Sequence, residues 1–359
     1  MKLQECKKYN KDVAEVGEFR LNWEKLKGKS IAISGGTGMI GSFLIDVLMY
    51  RNERFNQNTD IYVFGRNKEK AKERFGNYDK GIYFNFIEQD INEPIKCVCD
   101  GMEIGRVDYV IHAASNTHPV AYASDPIGTI SANVIGTNNL LDWATKVKCE
   151  RFVFLSTVEI YGENKGDIDK FTEDYLGYID CNTVRAGYPE SKRTGEALCQ
   201  AYAKQKNLDV VIPRLSRVYG PTMLETDTKA LSQFIKKSVS RENIVLKSEG
   251  TQEFSYSYVG DAVFAILKIL VDGKSLEAYN VASAKSDIML KDLAKILADY
   301  AGTEVVFELP DEVEKAGYSK ATKATLDISK LKALDWKSKY DIERGLHHTV
   351  DILREKLEL

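Results

Sequence analysis

The sequence predicts an α/β fold in which a doubly wound parallel sheet is followed by a smaller C-terminal α+β lobe. Two observations lead to this prediction. Short apolar runs alternate with stretches of helical periodicity through residue 215, and the runs are almost continuously apolar, as strands buried on both faces of a parallel sheet require. From about residue 216 the alternation gives way to short strands mixed with helices, which indicates a second architecture.

The first part of the chain supplies the predicted sheet. Its candidate strands are Ser30–Ser34, Ile61–Phe64, Ile82–Glu88, Tyr109–Ala113, Phe152–Ser156 and Val210–Pro213. Its candidate helices lie between them, near residues 39–51, 67–75, 127–147 and 187–207. This alternation builds a Rossmann-like sheet, whose ligand lies in the crevice beyond the carboxyl ends of the strands.

The second part supplies the lobe. Its candidate strands are Ile244–Leu246, Ala278–Val281 and Val305–Phe307, and its candidate helices lie near residues 226–240, 260–271, 290–300 and 341–356. We assign residues 29–215 to the sheet domain and residues 216–359 to a lobe that closes over the crevice, with an interleaved boundary. Residues 1–28 are interpreted as a polar extension without an assigned role.

The composition of the 359-residue chain is that of a globular protein with a substantial core, because 43% of its residues are hydrophobic and 29% are charged. The net charge of -3 gives no electrostatic reason to expect a nucleic acid or an anionic membrane as a partner. The opening residues are polar, unlike a signal peptide, and no apolar run reaches the length of a membrane span. We therefore expect a cytoplasmic protein without a membrane partner.

The cysteine and histidine content predicts neither disulfides nor a metal site. Cys97 and Cys99 form a lone C-x-C, without the second pair or histidine cluster that a zinc site requires. The four histidines are scattered along the chain. All the cysteines are interpreted as reduced thiols of a cytoplasmic protein; they are Cys6, Cys97, Cys99, Cys149, Cys181 and Cys199.

A glycine-rich turn joins the first predicted strand to the first predicted helix. In the segment "SGGTGMIG", Gly35, Gly38 and Gly41 are spaced three residues apart. Glycine at such positions lets backbone N–H groups approach a pyrophosphate at the positive end of a helix. A tight turn without a ligand is the alternative, but the position at the head of a long βα alternation favours a bound dinucleotide. Further contacts with the cofactor are predicted for Thr37, Met39 and Ile40.

The sequence leaves the choice between NAD and NADP open. A carboxylate at the end of the second strand would accept the ribose hydroxyls of NAD, but the strand "IYVF" is followed by Gly65, Arg66 and Asn67. Arg66 could meet the 2′-phosphate of NADP, or it could be an ordinary solvated residue at the start of a helix. Asp90, followed by Ile91, is predicted to accept a hydrogen bond from the adenine amino group, although an aspartate also suits a plain turn.

A tyrosine and a lysine form the predicted catalytic centre. Tyr188 and Lys192 stand four residues apart in "YPESK" and therefore share one face of a predicted helix. An ammonium group near a phenol lowers the pKa of the phenol, and so does an oxidised nicotinamide. Such a phenolate can remove a hydroxyl proton while hydride leaves the same carbon. Thr157, at the tip of the fifth strand, could hydrogen-bond the same substrate oxygen. The alternative is an ordinary tyrosine and lysine on a helix surface.

Several motifs resemble those of the extended short-chain dehydrogenase/reductases, in particular the NAD-dependent nucleotide-sugar epimerases, dehydratases and decarboxylases. The resemblance covers roughly residues 29–345, and the order and spacing of the motifs are more specific than any one of them. Besides the glycine turn, the motifs are "DYVIHAAS" from Asp108, "NVIGTNNLL" from Asn133, "STVEIYG" from Ser156, "YPESK" from Tyr188, "PRLSRVYGP" from Pro213 and "YSYVGDAV" from Tyr256.

The resemblance implies roles at the matching positions. Tyr188 would be the base, Lys192 its pKa partner and a ligand of the ribose, and Thr157 the third catalytic residue. The remaining residues implied in binding the oxidised cofactor are Ala113, Ala114, Ser115, Asn133, Ser156 and Pro213. The resemblance also implies a nucleotide-sugar substrate that is oxidised at C4, and a homodimer joined through a four-helix bundle.

The residues after Thr157 bear on what happens to a 4-keto sugar, which can lose carbon dioxide, lose water or be epimerised. Many 4,6-dehydratases resemble one another in having Asp-Glu there, whereas this chain has Val158 and Glu159, so the usual proton donor is missing. UDP-glucuronate decarboxylases resemble this chain in such a glutamate and in an arginine shortly before the tyrosine, here Arg185, which could hold a carboxylate or phosphate. Decarboxylation is the preferred interpretation, with 4,6-dehydration and 4-epimerisation as alternatives.

Two departures from the family pattern concern the substrate. Phe254 stands where the family often has an arginine that contacts the diphosphate or the substrate carboxylate, and Arg217 stands where it often has asparagine. Arg217 could restore the missing cation, and Tyr256 is expected in the substrate site. A regulator that binds NAD(P) without chemistry is a more remote interpretation, because such a sensor has no need of an activated phenol.

Overall fold

The strands follow the chain order that the sequence predicts, and further short strands lie in the C-terminal half. The computed structural model describes residues 1–78, 81–96, 98–99, 102–117, 122, 124–308 and 321–359. The strands are β1 (Ser30–Ser34), β2 (Asp60–Gly65), β3 (Phe84–Glu88), β4 (Val98–Cys99), β5 (Met102–Glu103), β6 (Tyr109–His112), β7 (Arg151–Phe154), β8 (Ser156–Thr157), β9 (Val210–Leu215), β10 (Arg217–Tyr219), β11 (Ile244–Leu246), β12 (Glu253–Tyr258), β13 (Ala278–Val281), β14 (Asp287–Met289), β15 (Val305–Phe307) and β16 (Lys323–Ala324).

Some of the helices begin at residues whose side chains accept hydrogen bonds from the first free N–H groups. Asn67 accepts a hydrogen bond from the Lys70 N–H at 2.7 Å, and Asp125, just before Pro126, accepts one from the Gly128 N–H at 3.0 Å. The helices are α1 (Lys7–Glu18), α2 (Met39–Phe55), α3 (Lys68–Phe75), α4 (Pro126–Lys146), α5 (Gly187–Lys206), α6 (Ala230–Val239), α7 (Val259–Asp272), α8 (Leu290–Ala301), α9 (Ser329–Lys332) and α10 (Ile342–Leu357).

The main sheet confirms the predicted doubly wound arrangement. Its strands are parallel and lie in the spatial order β13-β9-β7-β6-β1-β2-β3, with β8 pairing beside β9. Ser34, at the end of β1, is in register with Phe64 on one side and His112 on the other. The strand order reverses between β1 and β6, so the crevice that binds ligands in such sheets opens there.

The edge strand β13 corrects one expectation. The sequence placed Ala278–Val281 in the C-terminal lobe, but this strand pairs in parallel with β9 of the main sheet, from Ala278 opposite Ile212 to Val281 opposite Leu215. Its side chains are buried like those of the other sheet strands, and periodicity alone does not say which sheet a buried strand joins. The sheet therefore takes strands from both sides of residue 215.

A second, mixed sheet forms the predicted lobe. Its central strand β12 pairs in parallel with β10 and β16 and in antiparallel fashion with β14. Only Ser216 separates β9 from β10, so the chain passes directly from the main sheet into the lobe at the crevice. The lobe also contains β11 and β15, both of which the sequence predicted as strands; they pair in parallel. Within the described ranges, no helix combines the length and apolar character that crossing a bilayer requires.

The N-terminal extension is an integral part of the fold. Helix α1 buries Tyr9 and Asp12 against both halves of the molecule. The Tyr9 hydroxyl donates to Asp46 on α2, while Asp12 accepts from the Tyr258 hydroxyl at the end of β12 and pairs with the His348 Nε2 on α10 at 2.7 Å. Buried carboxylates need such partners, and α1 therefore fastens α2 to the C-terminal lobe.

Candidate active site

The glycine turn after β1 combines close packing with one open position. A Cβ on Gly35, whose φ is +73°, would lie 2.6 Å from the backbone nitrogen of Ala114, and a Cβ on Gly41 would lie 2.5 Å from the Gly35 carbonyl oxygen. A Cβ on Gly38 would approach only that carbonyl oxygen, at 3.2 Å. Packing therefore requires glycine at the first and third positions, whereas Gly38 faces space that a phosphate could occupy.

The rest of the turn forms the start of α2. Thr37, Met39 and Ile40 are partly exposed around it. Because the N-cap residue is Gly38, no side chain accepts from the first N–H groups of α2, and these point toward the place that a pyrophosphate would take. The Thr222 hydroxyl donates to the Met39 carbonyl at 2.8 Å, which ties the turn to the lobe. The turn thus fits the dinucleotide that the sequence predicted.

The predicted adenine end lies beside the carboxyl ends of β2 and β3. The Arg66 Nη1 is 4.0 Å from the Asp90 Oδ2, and the Arg66 side chain is 73% exposed. The Asp90 Oδ1 accepts from the Asn92 N–H at 2.9 Å, which fixes the turn. Ile91 is buried against α4, where Gly136 leaves room for it. Arg66 and Asp90 are therefore neighbours at the cofactor crevice.

The loop after β6 closes the crevice opposite the glycine turn. The N–H groups of Ala113 and Ala114 donate to the Ser34 carbonyl at 3.1 Å and the Ser34 hydroxyl at 3.3 Å. Ser115 Oγ donates to the Asn133 Oδ1 at 2.7 Å, and the Asn133 Nδ2 donates to the Ser191 Oγ at 2.9 Å. Asn133 is fully buried, so this network fixes Ser115 and joins the loop to α5.

Two of the predicted cofactor residues lie deeper than expected. Ser156 is buried and its hydroxyl donates to Glu196 Oε1 at 2.5 Å. Pro213 is buried within β9, opposite Tyr279 of β13, and the strand continues for two more residues before it reaches the crevice. The position of Pro213 beside a nicotinamide stays a prediction. The residues at the strand end, Leu215 and Ser216, lie nearer to the crevice.

Tyr188 lies at the start of α5 and is 6% exposed. Burial raises its pKa above the ordinary value, and the negative charge of Glu159 adds to that effect. Hydrogen bonds from Thr157 and from a second tyrosine, Tyr122, lower the pKa in turn, as does the positive charge of Arg185. The structure therefore brings Thr157, Glu159 and Arg185 to Tyr188, as the sequence predicted.

Lys192 stands one helical turn beyond Tyr188 and is 3% exposed. Its Nζ donates to the Leu155 carbonyl at 2.9 Å and lies 4.8 Å from the centre of the Phe154 ring. Burial lowers the pKa of Lys192 to about 8. This hydrogen bond holds the Lys192 ammonium group between the end of β7 and helix α5. From there the ammonium group could reach both a ribose hydroxyl and the Tyr188 hydroxyl.

Glu159 and Arg185 form an ion pair beside the phenol, with the Arg185 Nη2 2.5 Å from the Glu159 Oε2. Their side chains are 23% and 18% exposed, and the Arg185 Nε is buried without a hydrogen-bond partner. Val158, between Thr157 and Glu159, is 3% exposed and packs into the core. Val158 is therefore apolar and cannot donate a proton. The Arg185 guanidinium, which has one N–H group without a partner, lies beside Tyr188.

Arg217 occupies the space beside the phenylalanine that replaces the arginine expected in the family. Its Cζ lies 3.4 Å from the centre of the Phe254 ring, and it stands opposite Tyr256 in the register of β10 and β12. The Nη1 is buried without a hydrogen-bond partner, and burial lowers the pKa of the guanidinium. Charge interactions with Glu159, Arg185 and Tyr122 place Arg217 in the same cluster.

Tyr122 is the site residue that sequence reasoning missed. It stands in "AYASDP", outside the motifs, and an isolated tyrosine before a helix gives no signal of function.

The C-x-C of the sequence cannot be assessed as a metal site, because Cys97 and the Cys99 side chain lie outside the described residues. Over the part of the chain that the structure describes, no group of three or more His, Cys, Asp or Glu side chains is arranged to hold a metal.

The arrangement can oxidise an alcohol and then act on the resulting ketone. As a phenolate, the buried Tyr188 can accept the hydroxyl proton, and the open face of Gly38 admits the phosphate of a dinucleotide that accepts hydride. Next to Tyr188 lie one carboxylate and two arginines that each have a buried N–H group without a partner, which an anionic substrate group could satisfy.

The chain is similar to a known protein family and to curated proteins of that family. Residues 31–282 match the model of the NAD dependent epimerase/dehydratase family. UDP-glucuronic acid decarboxylase 2 of Arabidopsis thaliana is 31% identical over 334 residues, which are 93% of this chain and 70% of that protein.

Solved structures show the same fold. The dTDP-glucose 4,6-dehydratase DesIV of Streptomyces venezuelae, solved with NAD bound, is 23% identical with a TM-score of 0.77, and the match covers 92% of this chain and 98% of that one. The UDP-glucuronic acid 4-epimerase of Bacillus cereus, solved with UDP-glucuronic acid and NAD, is 22% identical with a TM-score of 0.75, covering 91% and 99%.

Proposed function

The chain belongs to the NAD-dependent epimerase/dehydratase family, and we propose that it oxidises a nucleotide-linked hexuronate at C4 and then decarboxylates it. The observation that carries the proposal is the cluster of Arg185 and Arg217 beside Glu159, in which both arginines have buried N–H groups without partners. A substrate carboxylate would satisfy these groups. The similarity to UDP-glucuronic acid decarboxylases supports the same conclusion.

The residues of the chain have separate tasks in this reaction. Bound NAD supplies the hydride acceptor that turns the C4 alcohol into a ketone. Tyr188 takes the C4 hydroxyl proton, and Thr157 and Lys192 hold the phenol and the ribose in place. The ketone makes the C6 carboxylate a β-keto acid, whose C5–C6 bond breaks as carbon dioxide leaves and its electron pair moves into the enolate. Arg185 and Arg217 orient the carboxylate, and we assign Glu159 to the proton transfer to C5 that follows. Return of the hydride to C4, or release of the 4-keto sugar with the reduced cofactor, would complete the reaction.

The test is mass spectrometry of the products formed from a panel of nucleotide sugars, with uronates and neutral hexoses of each base. Loss of carbon dioxide from a uronate is the expected result. Loss of water from a neutral hexose would establish the 4,6-dehydratase alternative, and a product of unchanged mass but altered configuration would establish the 4-epimerase. Absence of reaction with every sugar, despite bound cofactor, would favour a non-catalytic regulator.

Replacing Arg217 by methionine should weaken uronate binding about 10-fold to 100-fold, because a charge-assisted hydrogen bond contributes about 1.5–3 kcal/mol. Binding of the matching neutral hexose should change much less. Isothermal titration of both ligands measures the ratio, and Arg344→Met, on the exposed face of α10, is the matched control for loss of one charge. Equal weakening for both sugars would contradict the assignment of Arg217 to the carboxylate.

The family is NAD-dependent, and the chain departs from the usual NAD pattern at Gly65 and Arg66. If Arg66 meets a 2′-phosphate, Arg66→Ala should lower the affinity for NADP about 10-fold and leave that for NAD almost unchanged. Fluorescence titration of both dinucleotides against wild type and variant gives the result. An unaltered NADP affinity would show that Arg66 is a solvated surface residue.

The proposal includes a cytoplasmic homodimer. Helices α4 and α5 pack against each other, and α4 leaves Ile127, Ile130 and Ile135 exposed on one face. A second copy that covers this face would complete a four-helix bundle. Its burial would remove apolar surface from water, which favours association.

A further inference from the structure

A second tyrosine lies against the tyrosine that we assign as the base. Tyr122 is 6% exposed and precedes α4. Its ring stacks on the Tyr188 ring, with centroids 4.6 Å apart and planes inclined by 26°. The stack brings the hydroxyl groups of the two tyrosines close to each other. This contact joins a residue before α4 to the first turn of α5.

The Tyr122 ring is held from another direction as well. The Arg185 Cζ lies 4.6 Å from the ring centre, and Arg185 is itself paired with Glu159. Stacking and cation–π contacts orient an aromatic ring and therefore fix the direction of its hydroxyl group. Tyr122 thus lies between the ion pair and the phenol, with its ring in contact with both.

We propose that Tyr122 is a positioning residue that donates a hydrogen bond to the phenolate form of Tyr188 and so lets this residue act as a base nearer to neutral pH. The inference rests on the proposed function, because it takes Tyr188 as the base. A hydrogen bond to the charged form of a group favours that form. Thr157 supplies a second such bond from the end of β8.

The other charges around the phenol come from several elements. Glu159, after β8, opposes ionisation, whereas Arg185, before α5, favours it. Arg217 on β10 interacts with the charges of Glu159 and Arg185 in the same cluster, and Lys192 lies one helical turn beyond Tyr188 on α5. Burial raises the pKa of both tyrosines. Once Tyr188 has lost its proton, its phenolate oxygen can only accept, so the Tyr122 hydroxyl is the donor between them.

The experiment titrates Tyr188 directly. The NAD-loaded protein is labelled with tyrosine carrying carbon-13 at Cζ, and the Tyr188 resonance is identified by its loss in Tyr188→Phe. In Tyr122→Phe, which keeps the ring but not the hydroxyl, the Tyr188 step should move upward by about one to two pH units. Tyr202→Phe is the control, because Tyr202 lies on the far part of α5 and bonds to Asn138.

An unchanged Tyr188 step in Tyr122→Phe would overturn the proposal. Tyr122→Leu, which loses both ring and hydroxyl, should shift the step at least as far, and NAD retention shows that either variant is folded. The pH profile of nicotinamide reduction should move by the same amount as the resonance. Failure of every uronate to lose carbon dioxide would refute the proposed function but would leave this titration unaffected.

Discussion

Replacing Tyr188 by phenylalanine is expected to slow nicotinamide reduction by roughly 100-fold or more, since a general base contributes an acceleration of that order. The variant should fold and retain NAD, because Tyr188 is buried through its ring and the phenylalanine ring preserves the stack on Tyr122. Single-turnover absorbance of reduced nicotinamide measures the effect. A variant that reduces the cofactor at the wild-type rate would remove Tyr188 from the role of base.

Glu159→Gln is the matched comparison for that variant. The first half-reaction does not need the carboxylate, so reduced nicotinamide and a 4-keto sugar should accumulate. The negative charge of Glu159 raises the pKa of Tyr188, so its removal should also shift the onset of cofactor reduction to lower pH. Normal turnover, or a block of nicotinamide reduction as complete as in Tyr188→Phe, would refute this division of roles.

Gly38→Val is expected to abolish NAD retention while the fold survives. A side chain at Gly38 would meet only one protein atom at 3.2 Å, and the rest of it would project into the space that we assign to the pyrophosphate. The measurement is the amount of dinucleotide that copurifies with the protein, together with its thermal unfolding. Full occupancy in the folded variant would show that the turn does not hold the cofactor.

Gly41→Val is the informative control for that experiment. Its Cβ would lie 2.5 Å from the Gly35 carbonyl oxygen and 2.8 Å from the Gly36 Cα, so the backbone itself must move. This variant should lower the unfolding temperature as well as the cofactor content, because overpacking typically costs about 1–3 kcal/mol. Comparison of Gly38→Val with Gly41→Val thus distinguishes loss of the cofactor from loss of the fold.

Local patterns predicted the main sheet well, because a buried parallel strand and the helix after it leave their own periodicities in the sequence. The position of Ala278–Val281 in that sheet could not be read in this way, since strand pairing depends on residues far apart in the chain. The same limit applies to β10, which has three residues, and to β12, which is rich in polar and aromatic residues.

The site residues differ in the same way, because some belong to local motifs and others meet only through long-range contacts. Tyr188, Lys192 and Thr157 belong to motifs with a fixed order, so the sequence placed them at one strand end and one helix start. The contact of Arg217 with Phe254 joins two strands of the lobe and became visible only with their register. Tyr122 reaches Tyr188 across 66 positions of the chain by ring stacking, which no spacing rule encodes.

The burial of Asp12 bears on the order in which parts of the protein fold. Its partner His348 lies 336 residues later in the chain, and domains form from the N-terminus during synthesis. Helix α1 is made early, yet its carboxylate cannot be covered until α10 has left the ribosome. Contacts of such long range form late because the loop they close is long. Helix α1 is therefore expected to be among the last elements to gain protection from hydrogen exchange, although it is made before α10.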